Sequence, residues 1–129
     1  VIPNRALQQD FRYLLKQRGG MLAKGRLLGV QFEALLSDGL YEQIGRTAVA
    51  QAMRLKQAFL AKGWPLLVDS PTNQQFVVVP NAVYEQLSRN YSTDLSGHPD
   101  PEHTAIRFCT GWSTRDEDID TLIRDIQAL

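Results

Sequence analysis

The chain has 129 residues, of which 43% are apolar and 22% are charged. These proportions are ordinary for a single globular unit with a buried core. Fourteen basic residues balance fourteen acidic ones, so the net charge is close to zero. Without a net positive field, the chain is not expected to bind nucleic acid or an anionic membrane surface.

The cysteine content and the ends of the chain suggest a compartment. Cys109 is the only cysteine, so an internal disulfide is excluded and a reducing cytoplasm is expected. No apolar stretch is long enough to span a bilayer, and no basic, apolar leader precedes the first predicted helix. The start at Val1 resembles a cut in a longer chain, although processing would give the same result.

Three helices are predicted in the first half of the chain. Asn4 caps the first, which ends at the glycine pair at residues 19–20. The second covers residues 21–36 and is apolar on more than one face, which predicts a segment packed between layers or subunits. Asp38 caps the third, a long amphipathic helix over residues 39–62.

The second half of the chain changes to short apolar runs separated by turns. This pattern predicts, in order, strands at 65–68 and 75–79, a helix over 80–90, an exposed loop over 92–103 and a strand over 104–110. Residues 114–117 have the sequence of a capping box and open the last helix. The predicted fold class is therefore α+β, with three N-terminal helices followed by a small, mostly antiparallel sheet that helices cover.

Arg107 stands inside the apolar run that predicts the last strand. Burying a guanidinium without a partner is costly, so an arginine in this position implies an anion that meets it. The carboxylate of a ligand would suit the two-pronged donor geometry of the side chain. The alternative is an arginine that reaches water from an edge strand or pairs with a nearby Asp or Glu.

Other polar residues give weaker signals. His98 and His103 flank Asp100 and Glu102 in the predicted loop, where a metal site is conceivable but solvated side chains are expected. Cys109 is expected to be a small buried residue without a neighbouring general base.

The lysines and tryptophans complete the candidate residues. Lys16, Lys56 and Lys62 fall in helical patterns and are expected to be solvated. Trp64 and Trp112 flank strand ends, where aromatic side chains usually belong to a core or an interface.

Three blocks of sequence, taken together, resemble a known family: RGGMLAKGRLLGVQF at 18–32, SPTNQQF at 70–76 and IRFCTGWST at 106–114. Their order and spacing over almost the whole chain resemble the carboxyl-terminal third of the low-specificity threonine aldolases. Those enzymes are pyridoxal-phosphate-dependent lyases of the β-eliminating group, with the fold type I architecture. Residues 1–4 then resemble the end of the last strand of the family's large domain.

This resemblance implies both an activity and a missing part. The full enzyme would cleave a β-hydroxy-α-amino acid to glycine and an aldehyde, with pyridoxal phosphate drawing electrons from the α-carbon. In the family, a lysine in a threonine-rich turn of the large domain forms the Schiff base with the cofactor. None of the four lysines here has that setting, so the chain alone is expected to be inactive.

Three residues acquire roles from the resemblance. Arg107 matches the arginine that holds the α-carboxylate of the amino-acid substrate. Lys24 and Arg26 lie where related enzymes send a basic residue towards the cofactor phosphate, often that of the neighbouring subunit. Leu22 follows Met21 here, which departs from the glycine-methionine-arginine form of some relatives, and simple surface charge is the alternative for both cations.

The resemblance also divides the chain. Residues 1–36 would be the end of the large domain with connecting helices, and residues 37–129 the small α+β domain. Expected partners are an N-terminal large domain, the amino-acid substrate and further copies of the chain, because exposed apolar helices predict association. The alternative function is a free-standing α+β interaction module, in which apolar helices dimerise and Arg107 pairs internally.

Overall fold

The computed structural model describes residues 2–129, which contain five α-helices and four β-strands. The elements are α1 (Phe11–Gln17), α2 (Arg26–Leu36), α3 (Leu40–Ala61), β1 (Leu66–Val68), β2 (Gln74–Pro80), α4 (Asn81–Asn90), β3 (Asp94–Asp100), β4 (His103–Cys109) and α5 (Asp116–Ala128). Three helices followed by an antiparallel sheet with helices confirm the predicted α+β class. None of the described helices has the length and apolar composition needed to cross a membrane.

The chain forms two compact units, one extending to Leu40 and the other comprising Tyr41–Leu129. The predicted domain limits at residues 36 and 37 remain a prediction. Residues 2–4 are irregular in this chain, and the prediction for Val1 lies outside the described residues.

In the first unit, helices are shorter than the sequence suggested. Asn4 caps a single 3₁₀ turn, Arg5–Leu7, by accepting the N–H of Ala6 at 3.0 Å. A left-handed Asp10 then separates this turn from α1. The second helix begins at Arg26 instead of residue 21, since Gly20 and Gly25 disfavour helix in the intervening segment. Lys24 therefore lies in a turn, and its predicted helical position is wrong.

The second unit is organised by a four-stranded antiparallel sheet with the order β1-β2-β4-β3. Helix α3 contributes Leu55 and Phe59 to the core, and α5 contributes apolar residues at helical spacing. They pack with α4 on one face of the sheet, which is built from alternate residues of β2 and β4: Val77, Val79, Ile106 and Phe108. Trp64 belongs to this core, as predicted.

Strand β3 replaces the predicted loop over residues 92–103, and that prediction was wrong. β3 is an edge strand, and its pairing with β4 shifts register on both sides of Gly97, whose φ is 131°. An edge strand tolerates Pro99 and a bulge because it pairs on one side only. The segment lacks alternating apolar residues, so periodicity could not reveal a strand that backbone pairing creates.

The predicted capping box at residues 114–117 is also wrong. Helix α5 begins at Asp116 with Arg115 in the cap position, and no side chain caps it. The hydroxyl of Thr114 instead accepts the N–H of Gly111 at 2.9 Å and closes the preceding turn. Three acidic residues in the first turn of α5 stabilise its amino-terminal end through the helix dipole.

Candidate functional site

Arg107 lies in the middle of β4 on the face of the sheet opposite the core formed with the helices. Its neighbours Ile106 and Phe108 belong to the core, so the alternation of a strand directs Arg107 to the opposite face. Phe76 of β2 is its direct partner on one side, and Asp94 of β3 is its direct partner on the other. The arginine is thus held by a central strand.

Two side chains bind the guanidinium. One terminal nitrogen, Nη2, donates to Oδ2 of Asp94 at 2.7 Å, and Nη1 donates to Oε1 of Gln74 at 3.3 Å. The Arg107 side chain is 38% exposed, so the deep burial suggested by the apolar strand is wrong. Pairing with a nearby acid, the alternative weighed from the sequence, is observed, although from a central strand instead of an edge strand.

The local charges keep the guanidinium ionised. The hydrogen bond that Arg107 donates to Asp94 raises the pKa of Arg107, and the negative charge of Asp94 acts in the same direction. Cys109 is exposed, which corrects the prediction of a buried residue. Two positions after Arg107 on the same strand, it lies on the same face of the sheet.

The guanidinium retains unused hydrogen-bonding capacity. Of its five N–H donors, two have partners, and the Nε atom of Arg107 is buried with no partner among residues 2–129. A planar donor fork that is anchored on one edge and open to solvent at its end can accept a carboxylate. Arg107 therefore has the chemistry of a carboxylate-binding residue.

Lys24 and Arg26 lie in the first unit. Lys24 occupies the turn before α2, and Arg26 is the first residue of that helix, so both stand at its amino-terminal end. Both side chains are exposed. A phosphate would find two cations and the positive end of a helix dipole here.

The described lysines differ from a site for covalent attachment of pyridoxal phosphate. Lys16, Lys24 and Lys62 are exposed, and Lys62 donates to the carbonyl of Gln127 at 3.1 Å. The side chain of Lys56 is only 14% exposed and pairs with Asp69, which corrects its prediction as a solvated residue. Lys24 and Arg26 of the first unit therefore fit the phosphate group of the cofactor, and Arg107 of the second unit fits a carboxylate. The described lysines do not fit covalent attachment of the cofactor.

The two histidines have partners within the β3–β4 hairpin. His103 Nδ1 lies 2.9 Å from Oδ1 of Asp100, and its hydrogen bond lowers the pKa of that carboxyl. His98 Nδ1 lies 3.2 Å from the hydroxyl of Thr104, which donates to Asn81. Residues 2–129 contain no group of three or more His, Cys, Asp or Glu side chains arranged to hold a metal ion.

The sequence did not identify Asp94 and Gln74 as the residues around Arg107. Asp94 seemed to belong to a loop, and no local signal marks it as a strand residue. Gln74 could have been found by aligning the two apolar strands in antiparallel register, because it pairs with Cys109 and so lies diagonally across from Arg107.

An apolar groove of about 820 Å³ lies at the end of β2 and β4, beside the first half of α3. It is lined by Tyr41, Ile44, Val49, Asn73 and Trp112, among others. Trp112 is 82% exposed and is therefore not a core residue, while its predicted place in an interface remains untested. Arg107 does not line this groove.

Comparison with known proteins gives two close matches. The chain is 30% identical over 132 residues to the low-specificity L-threonine aldolase of a Pseudomonas species, covering 98% of this chain and 36% of that enzyme. The Leishmania major threonine aldolase structure matches with a TM-score of 0.88 and 31% identity, over 98% of this chain and 37% of that one. No protein-family profile matches the chain.

A more distant match concerns the fold alone. Serine palmitoyltransferase of Sphingomonas wittichii superposes with a TM-score of 0.51 and 14% identity, over 65% of this chain and 24% of that one. The chain spans about a third of the length of the threonine aldolases it matches. Over nearly all of its length it is similar to the carboxyl-terminal part of the threonine aldolases it matches, and its α+β fold is that of a small domain of such an enzyme.

Proposed function

We propose that this chain is the carboxyl-terminal portion of a pyridoxal-phosphate-dependent lyase similar to threonine aldolase. The complete protein would cleave a β-hydroxy-α-amino acid to glycine and an aldehyde. The homology over 98% of the chain supports this assignment. The observation that carries the role of this portion is Arg107, a partly exposed, charged arginine with unused donors on the face of the sheet opposite the core.

In this proposal, Arg107 binds the α-carboxylate of the substrate. Two parallel N–H donors fix both the position and the plane of a carboxylate, and so the direction of its bond to Cα, which limits the orientations open to the Cα–Cβ bond. Gln74 restricts the side chain before the substrate arrives, which reduces the entropy lost on binding.

Pyridoxal phosphate, when bound, would supply the electron sink for breaking the Cα–Cβ bond. The described lysines are exposed or paired, which supports placing the Schiff-base lysine in an N-terminal large domain. This chain would then supply substrate recognition and subunit contacts and would be inactive alone. We also propose that the protein is cytoplasmic. Its expected partners include further copies of the chain.

Lys24 and Arg26 are proposed to contact the cofactor phosphate. This role is supported by the position of the two exposed cations at the amino-terminal end of α2, where a phosphate is favoured. The competing explanation is that both are ordinary surface charges. If they bind phosphate, Lys24→Gln and Arg26→Gln should raise the Kd of pyridoxal phosphate in the complete protein, whereas Lys16→Gln, an exposed lysine of α1, should not.

The role of Arg107 is tested by Arg107→Gln in the complete protein. Glutamine keeps hydrogen-bonding capacity but removes the charge and the fork, so KM for the β-hydroxy amino acid should rise by about 30-fold, which corresponds to about 2 kcal/mol. This is the lower end of the range for breaking such a charge pair, because Arg107 is partly exposed. The expected kcat changes less than KM if the arginine mainly holds the substrate. Steady-state kinetics with a coupled assay of the aldehyde product measures both constants.

A matched control is Arg124→Gln. Arg124 is exposed on α5, and its hydrogen bonds within residues 2–129 go to atoms of its own helix, in Asp120 and Thr121. Its replacement should leave KM unchanged. An Arg107→Gln protein with the wild-type KM, or an equal rise in the Arg124→Gln protein, would rule out the proposed role.

The second candidate function is a free-standing α+β interaction module. The Arg107–Asp94 pair favours it, because an arginine neutralised within the chain does not require a ligand. The reading frame upstream of Val1 separates the two functions. A strand–helix region with a threonine-lysine turn supports the enzyme, and a start codon immediately before Val1 supports the module.

A further inference from the structure

The Arg107–Asp94 pair has a geometry that permits exchange. Asp94 is the first residue of β3 and lies directly opposite Arg107 in the antiparallel register. Its hydrogen bond uses one oxygen, Oδ2, and one nitrogen, Nη2, at 2.7 Å. A fork that can hold a carboxylate through two parallel bonds is thus occupied through one.

The surroundings of the pair allow another carboxylate to displace Asp94 from Arg107. The side chains of Arg107 and Asp94 are 38% and 64% exposed, so water screens their attraction and can solvate Asp94 after it leaves. Asp94 is the first residue of the edge strand β3, and its side chain is exposed. Rotation of its short side chain would be enough to vacate the guanidinium.

Gln74 holds a different position. Its Oε1 accepts from Nη1 at 3.3 Å, so it restrains the guanidinium without adding a negative charge. It can remain in place when Asp94 leaves, and a carboxylate that replaces Asp94 restores the neutral pair. An exchange of one carboxylate for another never leaves Arg107 uncompensated.

We propose that Asp94 is the resident carboxylate of Arg107, and that a ligand carboxylate binds by taking its place. Asp94 then acts through Arg107, as a competitor that sets the affinity of the site for a ligand carboxylate. This inference rests on the proposed function, in which Arg107 binds the carboxylate of the substrate. It adds that Asp94 occupies the guanidinium of Arg107 until a ligand carboxylate competes for that position.

Asp94→Asn in the complete protein tests this competition. Removing the resident charge should lower KM for the substrate by about twofold to fivefold, the range measured for exposed ion pairs, with kcat unchanged. In the Asp94→Asn/Arg107→Gln double variant, KM should equal that of Arg107→Gln alone, because Asp94 acts only through Arg107. Asp94→Ser, which also removes the charge, should act in the same direction.

A binding measurement provides a readout that does not depend on activity. The ¹⁵N–¹H signal of Arg107 Nε in the complete protein can be followed while acetate is added. Half-saturation should occur at an acetate concentration about twofold to fivefold lower in Asp94→Asn than in wild type. Asp118→Asn breaks a comparable exposed pair with Arg115, at 2.7 Å, and should change neither KM nor the titration.

The outcomes separate the inference from the function on which it rests. If Arg107→Gln raises KM but Asp94→Asn leaves KM unchanged or raises it, Asp94 does not compete with the substrate. Carboxylate binding by Arg107 is then retained and the further inference is wrong. If Arg107→Gln leaves KM unchanged, the proposed function fails together with the inference. An equal effect of Asp118→Asn would also overturn the inference, since the change would then be general.

Discussion

At the scale of single residues, the partners of a side chain determine its chemistry more than its neighbours in sequence do. Arg107 is flanked by apolar residues, yet its guanidinium is half exposed and bound to Asp94 from another strand. Lys56 lies on an amphipathic helix, yet its side chain is mostly buried and its ammonium pairs with Asp69. Both contacts join residues that are 13 positions apart.

Tyr91 provides a residue-scale prediction of pH dependence. Its hydroxyl donates to Oδ2 of Asp125 at 2.5 Å, and burial together with this bond raises the pKa of Tyr91 from 10.0 to about 12. The folded state therefore holds the proton more tightly than the unfolded state. The resulting stability is fully present below pH 10 and disappears as the pH rises from 10 through 12.

Tyr91→Phe should abolish this alkaline dependence. Because the tyrosine is partly exposed, we expect it to contribute about 1 kcal/mol to the free energy of unfolding, less than the full pKa shift would imply. Urea unfolding at pH 9 and at pH 11.5 measures the difference. Equal losses of stability in the wild type and in Tyr91→Phe would contradict the assignment.

At the scale of elements, glycine has opposite effects at the end and in the interior of α3. Gly63 follows the helix with φ of 80°, and the N–H of Trp64 bonds the carbonyl of Phe59 at 3.1 Å. The rings of Phe59 and Trp64 stack with centroids 6.4 Å apart. This is a Schellman ending, in which a left-handed glycine directs the chain into the core.

Gly63→Ala and Gly45→Ala should therefore change stability in opposite directions. An alanine at the left-handed position should lower the free energy of unfolding by about 1 kcal/mol. Gly45 lies inside α3 with nothing within 4 Å of an added Cβ, so alanine there should raise it by about 0.5–1 kcal/mol. Urea unfolding of both variants tests the pair, and changes of the same sign would contradict it.

At the scale of the whole chain, apolar residues are distributed unevenly between the two units. The core lies within the second unit, whereas the first carries large apolar side chains that are exposed in this chain: Leu7, Tyr13, Leu22, Leu27, Phe32 and Leu36. Exposed apolar residues in this number are unusual for a soluble monomer. We infer that they are covered by a larger assembly.

The corresponding prediction concerns self-association. The isolated 129-residue chain should associate in a concentration-dependent manner, because Leu27 and Phe32 are 66% and 64% exposed. Leu27→Gln combined with Phe32→Gln should weaken association, while Glu33→Gln on the same helix should not. Sedimentation velocity measures the effect, and circular dichroism verifies that helix content is retained. A wild-type chain that stays monomeric at high concentration would refute the prediction.

The sequence alone determined the fold class, most of the elements and the family resemblance. Helical spacing in α3 and α5 and the apolar runs of β2 and β4 are local signals, because burial on one face repeats with the period of the element. The motif blocks then related the chain to the threonine aldolases, which the comparisons confirm.

Only the tertiary structure decided what surrounds Arg107. β3 has no apolar period, and it exists because the backbone of β4 offers it a hydrogen-bonding partner. That pairing brings Asp94 to the guanidinium, and the register of β2 brings Gln74. Contacts of this kind depend on strand order and register, which are set by packing across the whole unit and are not encoded in any single segment.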